Sequence, residues 1–249
     1  MGGVAQRRKA WTILVRMRPK QSTPEIASTS AVLWITAATV YLVAEAVSAA
    51  AFPGYSYATN YISDLGVPDV ASFQGRAIDS PLHVVMNVAF ILHGVLFASA
   101  ALLTVRHRTW RPLARRWFVG AALVHAVGII LVGVFPGSPT NAENGLMLFH
   151  GLGAAMAIIA GNAAAIIAGL TLRRGNPRWL GSASVSLGIL GLVGLVMLLV
   201  DSNSTAITLL PDGVWERLAV DTILAWELLV GITVLATRRR AGRAEEQPA

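Results

Sequence analysis

The residues in this sequence that could do chemistry are a few ionisable side chains within or beside long apolar stretches. Glu45, Asp64 and Glu227 are the carboxylates best placed for catalysis. Charge inside hydrocarbon is costly and is kept mainly where it is paired, lines a cavity or reacts. Carboxylates gathered in such a cavity could act as general acids or bases. We therefore expect an acid–base site near one end of the apolar stretches.

Two histidines extend this site towards metal chemistry. His83 and His150 stand near the ends of two apolar stretches, and Asp221 lies one turn inside a third. Histidines with a carboxylate can bind Zn²⁺ and leave one position for water, and the chain has no cysteine. We expect these three residues to hold a metal ion or to polarise a headgroup. Five more polar residues are expected at the same site: Asn60, Ser63, Asn87, Glu216 and Arg217.

Structural roles compete with each of these assignments. Arg217 and Asp221 are four residues apart on one predicted helix, which favours a simple ion pair over catalysis. Histidines often join neighbouring transmembrane helices through hydrogen bonds. Ser63 and Asp64 could each cap a turn. The sequence therefore predicts where the polar residues gather more directly than which reaction they catalyse.

His93 and His125 form a separate, deeper pair. Each lies ten residues from the boundary of its own apolar stretch, roughly 15 Å deep at 1.5 Å per residue. Equal depth would suit haem ligation or contact with a quinone. We favour a hydrogen bond between the two in the core, because a di-haem site needs more histidines at paired depths. Zinc is thus a better candidate cofactor than haem.

Six apolar stretches must position these residues. Of the 249 residues, 55% are hydrophobic and 13% charged, whereas soluble domains have about 25% charged residues. A helix needs roughly 20 apolar residues to cross a bilayer. The six predicted spans are about 31–50, 83–105, 117–135, 147–172, 181–200 and 214–236. The predicted fold class is all-α, a polytopic bundle of six transmembrane helices.

Basic residues predict the orientation of the bundle. Six Lys and Arg fall in residues 1–30, five in 106–116, three in 173–178 and four in 238–243, all on one side. Cytoplasmic loops carry such an excess, so both termini are predicted to be cytoplasmic. The pI of about 10.7 is then explained without a nucleic-acid partner. Membrane lipids are the expected partners, and the sequence is silent on protein partners.

Three regions follow from this topology. Residues 1–30 are a basic cytoplasmic segment, 31–237 the transmembrane domain, and 238–249 a disordered tail with basic and acidic residues. Eighteen Arg against two Lys, with abundant Ala, indicate a GC-rich bacterial source. We therefore expect a multi-pass protein of the bacterial cytoplasmic membrane.

Small residues in the fourth span predict its packing face. Gly153, Ala157 and Gly161 recur every four residues, a spacing that lets transmembrane helices approach closely. At 100° per residue, His150 lies on this same face. We expect His150 to point into the bundle and not towards lipid.

Four short strings in this order resemble one protein family. They are Asn60–Gly66 after the first span, Gly133–Pro136 ending the third, His150-Gly151 in the fourth and Gly213–Leu218 opening the sixth. This combination resembles the uncharacterised prokaryotic membrane family called domain of unknown function 998, over roughly residues 30–238. The resemblance implies an integral membrane topology and no particular activity. Gly137-Ser138 stands where many relatives are expected to have an acidic residue, a role for which Glu143 could substitute.

Three functions are compatible with these features. The leading hypothesis is a lipid- or isoprenoid-modifying hydrolase or transferase, because the polar residues converge at the depth of lipid headgroups. The alternative is a small-molecule or proton-coupled transporter or binding protein, with Glu227 and Asp221 as a relay. A haem or quinone redox protein is the third.

Overall fold

Six long helices form where the sequence has its apolar stretches. In the computed structural model, which describes residues 24–107, 109–173, 178–203 and 209–245, six helices are long and apolar enough to cross a membrane. Within these ranges the helices are α1 Pro24–Ala51, α2 His83–His107, α3 Pro112–Val134, α4 Pro139–Glu143, α5 Met147–Leu172, α6 Arg178–Ser202 and α7 Asp212–Glu245. The predicted all-α bundle of six spans is confirmed.

Some helix ends differ from the predicted spans. α1 begins at Pro24 and α3 at Pro112, because proline suits the first turn of a helix, where its missing N–H is not needed. α7 continues to Glu245, into the segment predicted to be disordered. Arg and Ala are good helix formers, and the apolar helix before them supplies the nucleus. Residues 1–23 and 246–249 lie outside the described residues.

The six long helices form a closed ring in chain order. α1 packs against α2, α2 against α3, α3 against α5, α5 against α6, α6 against α7, and α7 returns to α1. α5 also contacts α7 across the ring. Buried aromatic side chains fill one half of the interior, where Trp34, Phe97, Phe118 and Trp226 pack together. A second cluster, around Tyr41 and Phe90, fills the other half.

Residues 52–82 form an ordered loop over one end of this ring, which we call the loop end. Its centre is a buried 3-10 helix, Ile62–Gly66. An antiparallel pair of strands follows, β1 Ala71–Phe73 and β2 Arg76–Ile78. Gln74 and Gly75 have positive φ angles of 51° and 77°, the conformation that tight two-residue hairpins need. No sequence pattern predicted this hairpin, which places Arg76 at the loop end.

Two glycines allow the closest helix contact near the site. A Cβ at Gly128 of α3 would lie 2.6 Å from the carbonyl oxygen of Gly153 of α5, and a Cβ at Gly153 would lie 2.7 Å from that of Gly128. Any side chain at either position would therefore push the helices apart. The predicted packing face of α5 is confirmed, since Gly153, Ala157 and Gly161 are all buried.

This contact predicts different effects for two neighbouring glycines. We expect Gly153→Leu to destabilise the bundle by about 1–3 kcal/mol, the usual cost of overpacking. Gly151→Leu is the matched control, because nothing lies within 4 Å of its Cβ position. Thermal unfolding in detergent would compare the two variants. Equal melting temperatures for both would contradict a close α3–α5 contact.

Candidate functional site

Arg217, in the second turn of α7, joins the helices to the loop at the loop end. Its Nη2 pairs with Glu45 Oε1 of α1 at 3.0 Å and donates to the hydroxyl of Tyr55. Its Nη1 donates to the carbonyl oxygens of Tyr57 (2.6 Å), Asn60 (2.9 Å) and Gly213 (3.1 Å). The sequence interpretation of an Arg217–Asp221 pair is wrong, because the longer reach to α1 and the loop satisfies more donors of the guanidinium.

Asp64 is held equally firmly within the loop. Its carboxylate accepts two hydrogen bonds from Arg76, at 2.8 and 3.2 Å. It also accepts from the backbone N–H of Tyr61 at 3.0 Å and from Asn60 Nδ2 at 3.2 Å. Two-point pairing with arginine is strong and directional, so the Asp64 carboxylate is fixed as a counter-ion.

The first two turns of α7 bind the same loop through two acidic residues, Asp212 and Glu216. Glu216 Oε2 accepts the backbone N–H of Ile62, and Asp212 Oδ2 accepts the hydroxyl of Tyr61 at 2.8 Å. Acidic groups at a helix N-terminus are also favoured by the helix dipole. We call the Arg217, Asp64, Asp212 and Glu216 contacts together the loop-docking network.

Three other predicted site residues form hydrogen bonds with backbone groups of the loop. His83 Nδ1 donates to the carbonyl oxygen of Ser80 at 2.9 Å, and Asn87 Nδ2 donates to that of Gly66 at 2.8 Å. Asn60 Oδ1 accepts the backbone N–H of Ser56 at 3.1 Å. His83 and Asn87 therefore hold the loop against α2, and Asn60 fixes a turn within the loop.

The predicted metal set is not brought together. His83 and His150 each donate to a backbone carbonyl, while Asp221 lies on α7 with its Oδ1 buried and without a partner among the described residues. In the part of the chain that the structure describes, no group of three or more His, Asp or Glu side chains could hold a metal ion. The geometry therefore favours another role for His150.

His150 lies where two cavities meet. The first, which we call the lateral groove, has a volume of about 310 Å³ between the loop, α5 and α6. The second, the inner cavity, has about 60 Å³ and extends towards the middle of the bundle. Both are lined by Ser63, His150, Ala154, Ile158 and Glu216. The two spaces are therefore adjacent, and we call the polar residues they share, Ser63, His150 and Glu216, the junction.

The backbone fixes the protonation geometry of His150. Its Nδ1 lies 2.9 Å from the carbonyl oxygen of Phe135. A carbonyl can only accept, so a neutral His150 carries its proton on Nδ1 and has a lone pair on Nε2. Nε2 faces Gly137, where a Cβ would lie only 2.9 Å away. The glycine that departs from the expected family pattern therefore leaves space beside a base, whereas Glu143 is exposed at the end of α4.

Glu227 belongs to a second, deeper cluster. Its Oε1 lies 2.9 Å from His93 Nε2, and the His93 and His125 rings are 5.3 Å apart. His125 Nδ1 instead donates to the carbonyl oxygen of Ala157 at 2.7 Å. The predicted hydrogen bond between the two histidines is wrong, because each has a nearer partner. Both histidines are buried, as the predicted position in the core requires.

Two contributors to the loop end were not assigned to the site from sequence. Arg76 pairs with Asp64 and its guanidinium carbon lies 4.1 Å from the centre of the Tyr61 ring, which adds a cation–π contact. Tyr55 receives a hydrogen bond from Arg217. The signal for Arg76 was present, since it is the single basic residue in the predicted outer loops. The tyrosines read equally well as interfacial anchors.

Comparison with known proteins gives a family without an assigned activity. A family model described as a protein of unknown function (DUF998) matches residues 35–233, most of the chain and all six long helices. No curated protein and no solved structure matches the chain. The four strings that carried the sequence resemblance lie in the long loop, at the end of α3, in α5 and at the start of α7, around the cavities.

The Tyr61–Asp212 contact predicts a pH effect. Burial, and next the hydrogen bond to the Asp212 carboxylate, raise the pKa of Tyr61 above the ordinary tyrosine value of about 10. The folded state thus favours the neutral phenol. The stability this provides is present below about pH 10 and is lost as the pH rises towards the raised pKa.

Ultraviolet titration of phenolate absorbance tests this effect. The difference between wild type and Tyr61→Phe should contain an ionisation step well above pH 10, the ordinary value. Tyr57→Phe, which removes a half-exposed tyrosine, is the control. A Tyr61 step at the ordinary value would mean that the hydroxyl is not held by Asp212.

Proposed function

This chain belongs to the DUF998 family of proteins of unknown function, and from the geometry of its site we propose that it binds an amphiphilic lipid or isoprenoid and modifies its headgroup by hydrolysis or group transfer. The observation that carries the proposal is the position of His150. An oriented base stands at the polar residues that the lateral groove and the inner cavity share.

The lateral groove supports a lipid as the ligand. Its walls are apolar residues of α5 and α6, including Ile159 and Leu199, which are 51% and 55% exposed on the protein surface. In a membrane, these exposed faces of spanning helices contact acyl chains. A volume of about 310 Å³ is within the usual range of roughly 300–1,000 Å³ for small-molecule sites. A lipid chain could enter here from the bilayer without crossing water.

The charged and polar side chains where the lateral groove meets the loop indicate the kind of headgroup. Arg76 is already paired with Asp64, and Arg217 with Glu45, so neither cation is available to a bare phosphate. The remaining groups are His150 Nε2, which accepts in the neutral imidazole, and the Ser63 hydroxyl and Glu216 carboxyl, which both have acceptor oxygens. A headgroup that donates hydrogen bonds, through hydroxyl or amine groups, fits this set best.

The proposed chemistry is proton transfer by His150. Its Nε2 lone pair would accept a proton from a water molecule or a substrate hydroxyl as that oxygen attacks the headgroup linkage. As the linkage then breaks, the His150 imidazolium would return this proton to the oxygen of the leaving group. The carbonyl of Phe135 keeps the imidazole in this tautomer, as hydrogen-bond partners do for catalytic histidines generally. Ser63, which lines the same junction, would position the headgroup. In this proposal Asp64 and Glu45 hold the loop, and His150 replaces them as the proton acceptor.

Ligand binding can be tested by filling the groove. We expect lipid that co-purifies with the full-length wild-type protein from a total lipid extract to be lost in Leu198→Trp, since Leu198 lines the lateral groove. Leu190→Trp is the control, because Leu190 is exposed on the same helix and away from the groove. Native mass spectrometry would measure bound lipid. Equal lipid binding by both variants would contradict the site.

Catalysis can be separated from binding at His150. We expect His150→Asn to retain the co-purified lipid but to lose its conversion, so that only the unmodified headgroup is recovered after incubation. Wild type should yield a second species, measured by lipid mass spectrometry. A wild-type protein that binds the lipid and returns it unchanged would support a binding protein or transporter in place of an enzyme.

A further inference from the structure

Three ionisable residues near the middle of the bundle have no role in the proposed lipid chemistry. His93 of α2, His125 of α3 and Glu227 of α7 are each at most 2% exposed. His93 Nε2 lies 2.9 Å from Glu227 Oε1. Buried ionisable groups at membrane depth are expensive and usually functional, so this cluster needs its own explanation.

The lack of a cationic partner among the described ion pairs favours the protonated form of Glu227. The ion pairs of the described residues engage Arg76 with Asp64 and Arg217 with Glu45, which leaves His93 as the ionisable partner of Glu227. An unpaired carboxylate in hydrocarbon would lose several kcal/mol of solvation, and such groups neutralise instead. The state that solvation favours for this pair is a carboxylic acid on Glu227 that donates to a neutral His93 imidazole across the 2.9 Å contact.

His125 provides a place for that proton to go. Its Nδ1 donates to the carbonyl oxygen of Ala157 at 2.7 Å, so its Nε2 carries a lone pair. Nε2 is buried and has no partner in the described structure, and the same is true of His93 Nδ1 and Glu227 Oε2. Buried polar atoms are nearly always satisfied by protein or water. Three such atoms in one cluster indicate bound water.

The inner cavity is large enough for water molecules but too small for a quinone ring. His93 and His125 line this cavity of about 60 Å³. A water molecule needs about 10–15 Å³ on such a measure, whereas a benzene ring occupies a cavity of about 150 Å³. The cavity can therefore hold a few water molecules, while a quinone ring would not fit. No metal-binding group of three residues is present within the described ranges.

Other titratable groups around the cavity mark the route outward. Tyr41 faces it from α1, His150 from α5 and Glu216 from α7, while no residue of α6 lines it. Asp221, one and a half turns from Glu227 on α7, is not among the lining residues. Glu216 and His150 also line the lateral groove, so the waters would connect the deep cluster with the loop end.

We propose that the inner cavity is a hydrated proton-binding site, in which Glu227 and His93 hold a proton that moves through water to His125 and to the His150–Glu216 junction. Glu227 does not itself line the cavity and reaches it through His93. In the first transfer the O–H bond of Glu227 breaks as an N–H bond forms on Nε2 of His93. The N–H bond on Nδ1 of His93 then breaks towards the cavity water, and an N–H bond forms on Nε2 of His125. The products are a carboxylate and an imidazolium, so the net charge of the cluster is unchanged. This site stands independently of the lipid chemistry.

Infrared spectroscopy of the full chain in lipid nanodiscs tests the carboxylic acid. The wild-type spectrum at neutral pH should contain a carboxylic C=O band that is absent in Glu227→Gln, and this band should shift when the sample is moved to D₂O. Asp221→Asn is the matched control on the same helix and should retain the Glu227 band. An identical carboxylic region in wild type and Glu227→Gln would overturn the proposal.

Access through the cavity is tested with variants that keep Glu227. Ala154 lines both cavities, whereas Ala155 lines the lateral groove alone. Ala154→Val should slow the D₂O shift of the Glu227 band severalfold, and Ala155→Val should leave its rate unchanged. A band that does not shift in wild type, or equal rates in both variants, would show that no water path connects the cluster with the junction. The test also stands if Glu227→Gln does not fold.

Discussion

The contacts of the partly buried Arg217 guanidinium are the interactions on which the loop end of this protein depends. One side chain contacts Glu45 on α1, three backbone carbonyls and a tyrosine hydroxyl. Removing one partner of a buried ion pair typically costs about 3–5 kcal/mol, because the other charge is left unpaired. Loss of Arg217 would mainly destabilise the docked loop, because the backbone carbonyl oxygens of Tyr57 and Asn60 would lose their hydrogen-bond donor as well.

Docking of the loop creates both cavities. Ile62 and Ser63 of the 3-10 helix line the inner cavity, and Ser63, Asp64 and Arg76 line the lateral groove. The acidic residues of the loop end are therefore engaged mainly in holding this cover in place. What remains free at the junction is His150, which the Phe135 carbonyl orients. In the proposed function, the acidic and basic residues of the loop end hold the loop in place, and His150 transfers the proton.

The protein has two polar sites at different depths in the bundle. The junction at the loop end meets the lateral groove, where a headgroup could be bound and modified. The His93–Glu227 pair lies deeper, and His93 lines the inner cavity through which, in our proposal, protons reach the junction. A reaction that moves protons at His150 would be served by a nearby proton site, although each of the two proposals can hold without the other.

Sequence patterns predicted the bundle well because membrane insertion imposes a strong constraint. Apolar length alone located α2 and α5 to within two residues, and helical periodicity correctly turned His150 inward. The pairings failed for a physical reason. Arg217 could reach Asp221 along its own helix, and only the folded loop makes Glu45 and the carbonyl oxygens the better partners. The hairpin that carries Arg76 depends on two residues with positive φ, which no apolar pattern indicates.

The most direct test of this account is amide hydrogen exchange of the 3-10 helix Ile62–Gly66 in wild type and Arg217→Gln. If Arg217 docks the loop, exchange in this segment should rise strongly in the variant while the centres of α2 and α5 remain protected. Arg115→Gln, an exposed arginine at the opposite end of the bundle, should behave as wild type. Unchanged protection of Ile62–Gly66 in Arg217→Gln would contradict the central role of this interaction.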